Sequence, residues 1–235
     1  MTFRRQTLIL LGLAACSNIT ATSDGVATLL LEIPSPALVE VGESIGLVAT
    51  PLDADGEVLA VPVYWIALDT TIAVDSVAAR LTGLIPNSTG RVVARTGDLY
   101  SSIMSFSVLE RADTLLRVSA EEDTVEVGES ESGILDVEVD GGNPPAPLTG
   151  RVIVYQVIHP AFSAPEERTV DLTGGGLLQA TKTTSAGSTS PGIRLRRRDG
   201  YQAPDSAVVT ASAWRPGGES IPGSGVRFIV RFVNP

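Results

Sequence analysis

The sequence predicts an all-β protein. Beyond the first 25 residues, short runs rich in Val, Ile and Thr alternate with clusters of Gly, Pro, Asn and Asp, which is typical of strands joined by turns. This part of the chain has no sustained helical period. Roughly seven short strands per ~100 residues is the pattern of an immunoglobulin-like β-sandwich. Hydrophobic residues make up 43% of the chain and charged residues 19%, which indicates a folded chain.

A repeated hexapeptide divides the chain into two tandem sandwiches. The sequence VEVGES at Val39–Ser44 recurs unchanged at Val125–Ser130. The spacing corresponds to one small β-domain and is too long for a solenoid repeat. We therefore predict two domains, residues 26–110 and 111–235, with a boundary at the polar segment Glu110–Asp113.

Each predicted domain contains enough strands for a sandwich of two sheets. In the first domain the strands are Thr28–Ile33, Ser44–Thr50, Val61–Ile66, Thr71–Val74, Arg80–Leu84, Gly90–Arg95 and Met104–Val108. In the second domain they are Thr114–Ser119, Gly133–Val139, Arg151–Ile158, Thr169–Leu172, Leu177–Thr183, Gly192–Arg197, Ala207–Ala213 and Val226–Val233. Alternation of apolar and polar residues along many of these runs indicates strands with one buried face.

The N-terminus has the layout of a secretory signal. Arg4 and Arg5 precede a short apolar run, and small residues lead to Cys16, the only cysteine of the chain. The apolar run is too short to cross a hydrocarbon core of about 30 Å as a helix. Leu-Ala-Ala-Cys closely resembles the lipobox of bacterial lipoproteins, in which the chain is cleaved before the cysteine and its thiol is acylated. The resemblance implies a signal peptide of residues 1–15, lipidation of Cys16 and a linker of residues 16–25.

Charge limits the partners of the chain. The net charge is −10, and removal of a signal peptide with two arginines makes the mature chain more acidic still. Such a chain disfavours nucleic acid, whose phosphates need cationic partners, and it disfavours lying on an anionic bilayer. Membrane contact is therefore expected through the lipid on Cys16, and multiple acylation would make the anchor stable. No cysteine follows Cys16, so the domains cannot contain a disulfide.

The first domain carries a series of motifs in a characteristic order. They are Val41-Gly42-Glu43, Asp53-Ala54-Asp55-Gly56, Val63-Tyr64-Trp65, Asp69, Ile72-Ala73-Val74-Asp75, Leu81-Thr82-Gly83-Leu84 and Gly90 before Val92-Val93-Ala94. Residues 28–110 thereby resemble a group 2 bacterial immunoglobulin-like (BIG2) domain, a family found in intimin-type adhesins and other surface proteins. Ala79 departs from the glycine that this family often has before its Thr-Gly segment.

The second domain resembles bacterial immunoglobulin-like domains more loosely. Gly142–Pro144 and Asp205–Ala211 resemble segments of the invasin-type group 1 domain, whereas an insertion at 160–176 departs from it. The group of this domain stays open. Together the resemblances imply a lipoprotein of the bacterial cell envelope, in the outer membrane because Ser17 follows Cys16, facing the periplasm or the cell surface.

Aromatic and basic residues supply the candidate binding sites. Trp65 is expected in the core of the first domain. Trp214 and Tyr201 are the residues to inspect for glycan stacking. The segment 193–198 is the one basic cluster in this acidic chain, and alternation along it predicts that Arg194 and Arg196 face outward. With Arg198 they could contact an acidic partner or lipopolysaccharide phosphates, although such a cluster is more often a solvated strand face that blunts a sheet edge.

No catalytic or metal-binding constellation is predicted. Gly42–Gly46 matches the spacing of a hydrolase nucleophile elbow, but a strand follows it rather than a helix, and the single histidine, His159, lies in the other domain. One histidine without a second ligand cannot complete a usual zinc site. Asp53–Gly56 lacks the remaining EF-hand ligands and is expected to be a hairpin turn. A weak Ca²⁺ site at the domain boundary, with oxygens from Glu121–Asp123, stays an open alternative.

The sequence therefore predicts a non-enzymatic, cofactor-free, lipid-anchored envelope protein. Surface adhesion or a structural spacer role is the preferred function, since sandwich loops and strand edges are where such folds bind partners. An accessory scaffold subunit of an envelope complex and a glycan-binding module are the alternatives. Fold alone does not decide among them.

Overall fold

A computed structural model describes residues 25–32 and 34–233 of the chain. Cys16, the predicted signal peptide and residues 16–24 of the predicted linker lie outside the described residues. Within them the regular structure consists of strands and a single turn of 3-10 helix at Pro165–Glu167, which confirms the predicted all-β class. This described part contains no helix long and apolar enough to cross a membrane.

The first ten strands form an N-terminal sandwich of two facing layers. They are β1 (Thr28–Glu32), β2 (Leu38–Glu40), β3 (Ser44–Gly46), β4 (Val48–Leu52), β5 (Tyr64–Ala67), β6 (Ile72–Asp75), β7 (Arg80–Gly83), β8 (Ser88–Thr96), β9 (Leu99–Tyr100) and β10 (Met104–Leu109). One layer has the strand order β2-β10-β8-β5, with β9 pairing β8. The other layer consists of β1-β4 and β3-β7-β6.

The remaining strands form a larger C-terminal sandwich. They are β11 (Ala112–Arg117), β12 (Glu122–Val125), β13 (Val137–Gly141), β14 (Ala146–Pro147), β15 (Val152–His159), β16 (Val170–Leu172), β17 (Leu178–Thr183), β18 (Thr189–Ser190), β19 (Leu195–Arg197), β20 (Ser206–Ala213) and β21 (Val226–Phe232). A six-stranded sheet with the order β12-β21-β20-β15-β17-β18 faces the shorter ladders β11-β13-β14 and β16-β19.

Each sandwich has its own hydrophobic core. Trp65 is 5% exposed and packs in the N-terminal core, which confirms its predicted role. Tyr155 and Phe228 are the largest fully buried side chains of the C-terminal core. Among the described residues no strand of the first ten pairs with a strand of the last eleven. The predicted boundary at residues 110 and 111 lies in the gap between β10 and β11.

In each sandwich the first strand belongs to one sheet, and the short second strand that follows it belongs to the other sheet. β1 pairs antiparallel with β4, whereas β2 pairs parallel with β10, the last strand. Likewise β11 pairs antiparallel with β13, and β12 pairs parallel with β21. Because β2 and β10 run side by side in the same direction, both end at the pole that joins the C-terminal sandwich.

Candidate functional site

The repeated hexapeptide forms the same turn in both sandwiches. In the first copy the Glu43 N–H donates to the Glu40 carbonyl at 3.0 Å, and the Glu40 N–H donates to Glu43 Oε2 at 2.9 Å. In the second copy the Glu129 N–H donates to the Glu126 carbonyl at 3.1 Å, and the Glu126 N–H donates to Glu129 Oε2 at 3.0 Å. The intervening glycines have φ of +75° and +93°, which the third position of a type II turn requires. The repeat thus encodes a reciprocally hydrogen-bonded turn after a parallel strand.

The first of these turns holds the two sandwiches together through Glu40. This side chain of the N-terminal sandwich is only 1% exposed, yet it carries a carboxylate. Its Oε2 accepts a hydrogen bond from the Ala112 N–H at 3.0 Å and lies 3.3 Å from Arg215 Nε. Its Oε1 lies 2.9 Å from Arg151 Nη1. The carboxylate is therefore enclosed by three groups of the C-terminal sandwich.

The two arginines are also buried and are anchored to the backbone of the junction. Arg151 Nη2 donates to the Glu110 carbonyl, and Arg215 Nη2 donates to the Ala112 carbonyl at 2.7 Å. Arg215 Nη1 additionally lies 2.6 Å from a carboxylate oxygen of Glu219. Arg151 precedes β15 and Arg215 follows β20, so the loops at one pole of the C-terminal sandwich deliver both cations to Glu40.

Burial sets the electrostatics of this cluster. Loss of hydration raises the pKa of Glu40, while the Ala112 amide and the two guanidinium groups act against the rise. Desolvation likewise lowers the pKa of Arg151, and the charge of Glu40 opposes that shift. Buried ion pairs gain little net stability, but an unmatched charge in such a site is strongly unfavourable. The cluster therefore specifies one orientation of the sandwiches more than it stabilises each of them.

Glu43 and two glycines of the C-terminal sandwich also lie at or near the junction. Glu43 Oε1 accepts a hydrogen bond from the Gly217 N–H at 2.5 Å. A Cβ at Gly217 would lie 2.5 Å from the same carboxylate oxygen, and one at Gly141 would lie 1.9 Å from the Arg111 carbonyl. Both distances are below van der Waals contact. At Gly141 the opposing atom belongs to the backbone, so glycine is required there, whereas at Gly217 it is the end of the flexible Glu43 side chain, which can move.

Most arginines of the predicted basic cluster bind groups of this chain. Arg194 and Arg196 face outward and Leu195 inward, as the alternation predicts. The Arg194 guanidinium, however, donates to the Ser132 carbonyl at 2.8 Å and lies 3.6 Å from Glu131. Arg196 is the more exposed of the two.

Arg198 is held in the same way at the end of this cluster. Its guanidinium lies 4.8 Å from the ring centre of Tyr201, and its Nη1 donates to the carbonyls of Pro165 and Arg168 at 3.0 and 3.3 Å. A cation over an aromatic face is stabilised by the ring quadrupole. Arg198 and Tyr201 therefore order the loops around the 3-10 turn.

The two candidate glycan-stacking residues lie at opposite ends of one strand. Trp214 is 50% exposed and directly follows β20, whereas Tyr201, also exposed, precedes the start of β20. The eight residues of this strand span about 26 Å at ~3.3 Å per residue. One sugar cannot contact both rings, so Trp214 and Tyr201 belong to two separate surfaces.

The structure also places the remaining sequence motifs, the candidate Ser44 and His159 and the Asp53 turn. Ser44 Oγ lies 2.5 Å from Thr82 Oγ1 in the N-terminal sandwich, and His159 ends β15 in the other. Asp53 Oδ1 accepts the N–H groups of Asp55 and Glu57 at 2.9 Å, which confirms the predicted hairpin turn.

The acidic segment proposed for Ca²⁺ is similarly engaged. Glu121 lies 2.7 Å from Arg117, and Glu122 lies 3.3 Å from Arg231. Asp123 Oδ2 accepts a hydrogen bond from the Gly133 N–H at 2.7 Å. Within residues 25–32 and 34–233 no group of three or more acidic, His or Cys side chains has a metal-binding arrangement.

Among known proteins, the chain is similar only to solved structures. No protein-family model and no curated protein matches the chain. The adhesin InvE of Yersinia pseudotuberculosis is 12% identical over 91% of this chain and 62% of that chain, with a TM-score of 0.36. Domains 4 and 5 of the S-layer protein SbsC are 15% identical over 89% and 99%, with a TM-score of 0.32. The EC1-2 fragment of human protocadherin-24 is 12% identical over 88% and 99%, with a TM-score of 0.30.

The class of fold is therefore assigned from the strand order of the molecule itself. The chain spans 62% of the length of the InvE structure that it matches. Its two layers per sandwich and its sheet-switching first strands are those of immunoglobulin-like domains. The chain is thus a tandem pair of immunoglobulin-like β-sandwiches joined by a buried ionic cluster.

Proposed function

We propose that the chain is a non-enzymatic, lipid-anchored protein of the bacterial cell envelope whose sandwiches act as a spacer or adhesion module. The junction at Glu40 is the observation that supports this most. Interfaces between domains of one chain normally permit relative motion. Here a carboxylate that is 1% exposed lies against Arg151 and Arg215, and any hinge motion would separate these buried charges. A fixed orientation is what a spacer needs.

The direction of the strands also supports a spacer role. Glu43 lies at the junction, and β3 and β4 lead from it to Leu52 at the opposite pole. Thr28 pairs with Leu52, so the chain enters the N-terminal sandwich at the pole far from the junction. With a lipid on Cys16, the N-terminal sandwich would lie next to the membrane and the C-terminal sandwich would be the distal one.

The anchor and the orientation can be tested on intact cells. We expect the wild-type chain to incorporate labelled palmitate and to partition into detergent, and Cys16→Ser to lose both properties. A C-terminal epitope tag that external protease removes from intact cells would establish a surface location, in support of adhesion. A Cys16→Ser variant that stays membrane-bound would contradict the lipid anchor and the BIG2-lipoprotein reading that rests on it.

An accessory scaffold subunit is the second candidate function. The outer face of the six-stranded sheet exposes apolar side chains on neighbouring strands, among them Val152 and Ile158 on β15 and Leu178 on β17, the last 61% exposed. Exposed apolar side chains on one face of a protein are a feature of interaction sites, and here the exposed Gln156 lies between Val152 and Ile158. If envelope complexes contain the chain, Leu178→Glu should release it from them while leaving its fold unchanged.

A further inference from the structure

The second copy of the hexapeptide lies at the pole of the C-terminal sandwich opposite the junction. Val125 pairs with Phe232 of the last strand just as Val39 pairs with Val108, so the two turns occupy equivalent places. Their surroundings differ. Glu40 is buried by the following sandwich, whereas Glu126 is exposed.

The exposed turn presents the groups that the junction uses. At the junction Glu40 faces two arginines and Glu43 accepts a backbone N–H. Glu126 and Glu129 offer the same two carboxylates on the same backbone, since their reciprocal hydrogen bonds match. The neighbouring Val127 is 57% exposed, which adds an apolar contact to the surface.

Arg197 also lies at this pole and binds the backbone of the turn. Arg197 Nη2 donates to the carbonyls of Val125 and Val233 at 3.1 and 2.7 Å, and more weakly to that of Glu126 at 3.5 Å. It thereby ties the turn to the end of β21 and fixes the turn in position. Within the described residues no ion pair joins the carboxylate of Glu126 to a cation.

We propose that the turn Glu126–Glu129 is a second docking surface, which receives another β-sandwich whose facing loops carry arginine side chains and an exposed glycine N–H. The pole of this chain's own C-terminal sandwich, with Arg151, Arg215 and Gly217, is an example of such a partner. Complementary charge specifies the partner, and the established junction shows that the turn accommodates it. The inference goes beyond the proposed function and does not depend on the lipid anchor.

The test extends the full chain by a second copy of its C-terminal sandwich. Because Val233 occupies the place of Leu109 in the repeat, we join residue 233 directly to a further copy of residues 110–235. Spin labels at Leu178, in a Cys16→Ser background, report the distance between the C-terminal sandwich and the added one. Glu126→Lys in the inner copy is compared with Asp98→Lys, a change of equal charge at a fully exposed side chain.

We expect a narrow distance distribution that Glu126→Lys broadens roughly twofold or more, because undocked domains move independently, and that Asp98→Lys leaves unchanged. A distribution that is broad before any substitution would overturn the proposal. So would a narrow distribution that is insensitive to Glu126→Lys, because the glutamate would then have no part in docking.

Discussion

Charge reversal at Glu40 should open the junction without unfolding either sandwich. The substitution Glu40→Lys replaces the carboxylate between Arg151 and Arg215 with a third cation. At a separation of about 4 Å and an effective dielectric constant of about 20, each charge pair is worth roughly 4 kcal/mol. Two attractions of that order become repulsions inside the junction. The sandwiches should separate, because each retains its own core.

The assay is a distance measurement between the sandwiches combined with unfolding. Spin labels at Val77 and Leu178, both exposed, should give a narrow distribution in the parent chain and a broad one in Glu40→Lys. Near-ultraviolet circular dichroism should retain the signal of Trp65 in both. The matched control is Glu126→Lys, the same change in the same hexapeptide at an exposed site, which should alter the free energy of unfolding by less than about 0.5 kcal/mol.

Two outcomes would refute this reasoning. An unchanged distance distribution in Glu40→Lys would mean that contacts other than the ionic cluster set the orientation. Equal effects of Glu40→Lys and Glu126→Lys would mean that burial of the carboxylate has no bearing on the junction.

Three further predictions concern the cores and titration. Trp65→Ala should cost about 3–5 kcal/mol of unfolding free energy in the N-terminal sandwich, whereas Trp214→Ala, half exposed, should cost less than about 0.5 kcal/mol; urea melts compare them. Burial and the neighbouring charge of Asp140 raise the pKa of Glu138. Glu138→Gln should therefore raise the urea midpoint at neutral pH. The difference in midpoint should disappear in acid, where Glu138 of the parent chain is protonated. Burial raises the pKa of Tyr155, so the folded state should lose stability as pH rises above about 10, where an unfolded tyrosine ionises; Tyr155→Phe should remove that loss in melts across this range.

Strand positions were predictable because burial leaves a local signature. Every predicted strand has a counterpart, although Leu47 separates the predicted run Ser44–Thr50 into β3 and β4, and β5 begins at Tyr64 rather than Val61. The alternation of apolar and polar residues follows directly from a sheet with one buried face. Ends of strands depend on turn geometry, which the alternation does not specify.

The short parallel strands were missed because their partners are distant. β2 and β12 have only three and four residues, too few for a periodic pattern, and each is specified by pairing with the last strand of its sandwich. The hexapeptide was interpreted as a domain marker, and its conformation as a sheet-switching turn became apparent only with the register. The signal that could have predicted the turn is the glycine that lies between two glutamates in both copies of the hexapeptide.

The functional junction could not be predicted for the same reason. Within the hexapeptide nothing distinguishes Glu40 from Glu126, since the six residues are identical. Its partners Arg151 and Arg215 lie in separate loops of the next sandwich and share no motif with it. Burial of an acidic residue in such a place follows from how two finished domains meet, and a local pattern contains no information about that.

The parallel pairing of β2 with β10, and of β12 with β21, has a mechanical consequence. Tension between the entry of a sandwich and its exit draws the second strand and the last strand past each other along their common direction. All hydrogen bonds of the ladder then bear load together instead of opening one after another. Forced unfolding is governed by the rate of barrier crossing rather than by equilibrium stability, so these short ladders should determine how long the chain withstands a pull.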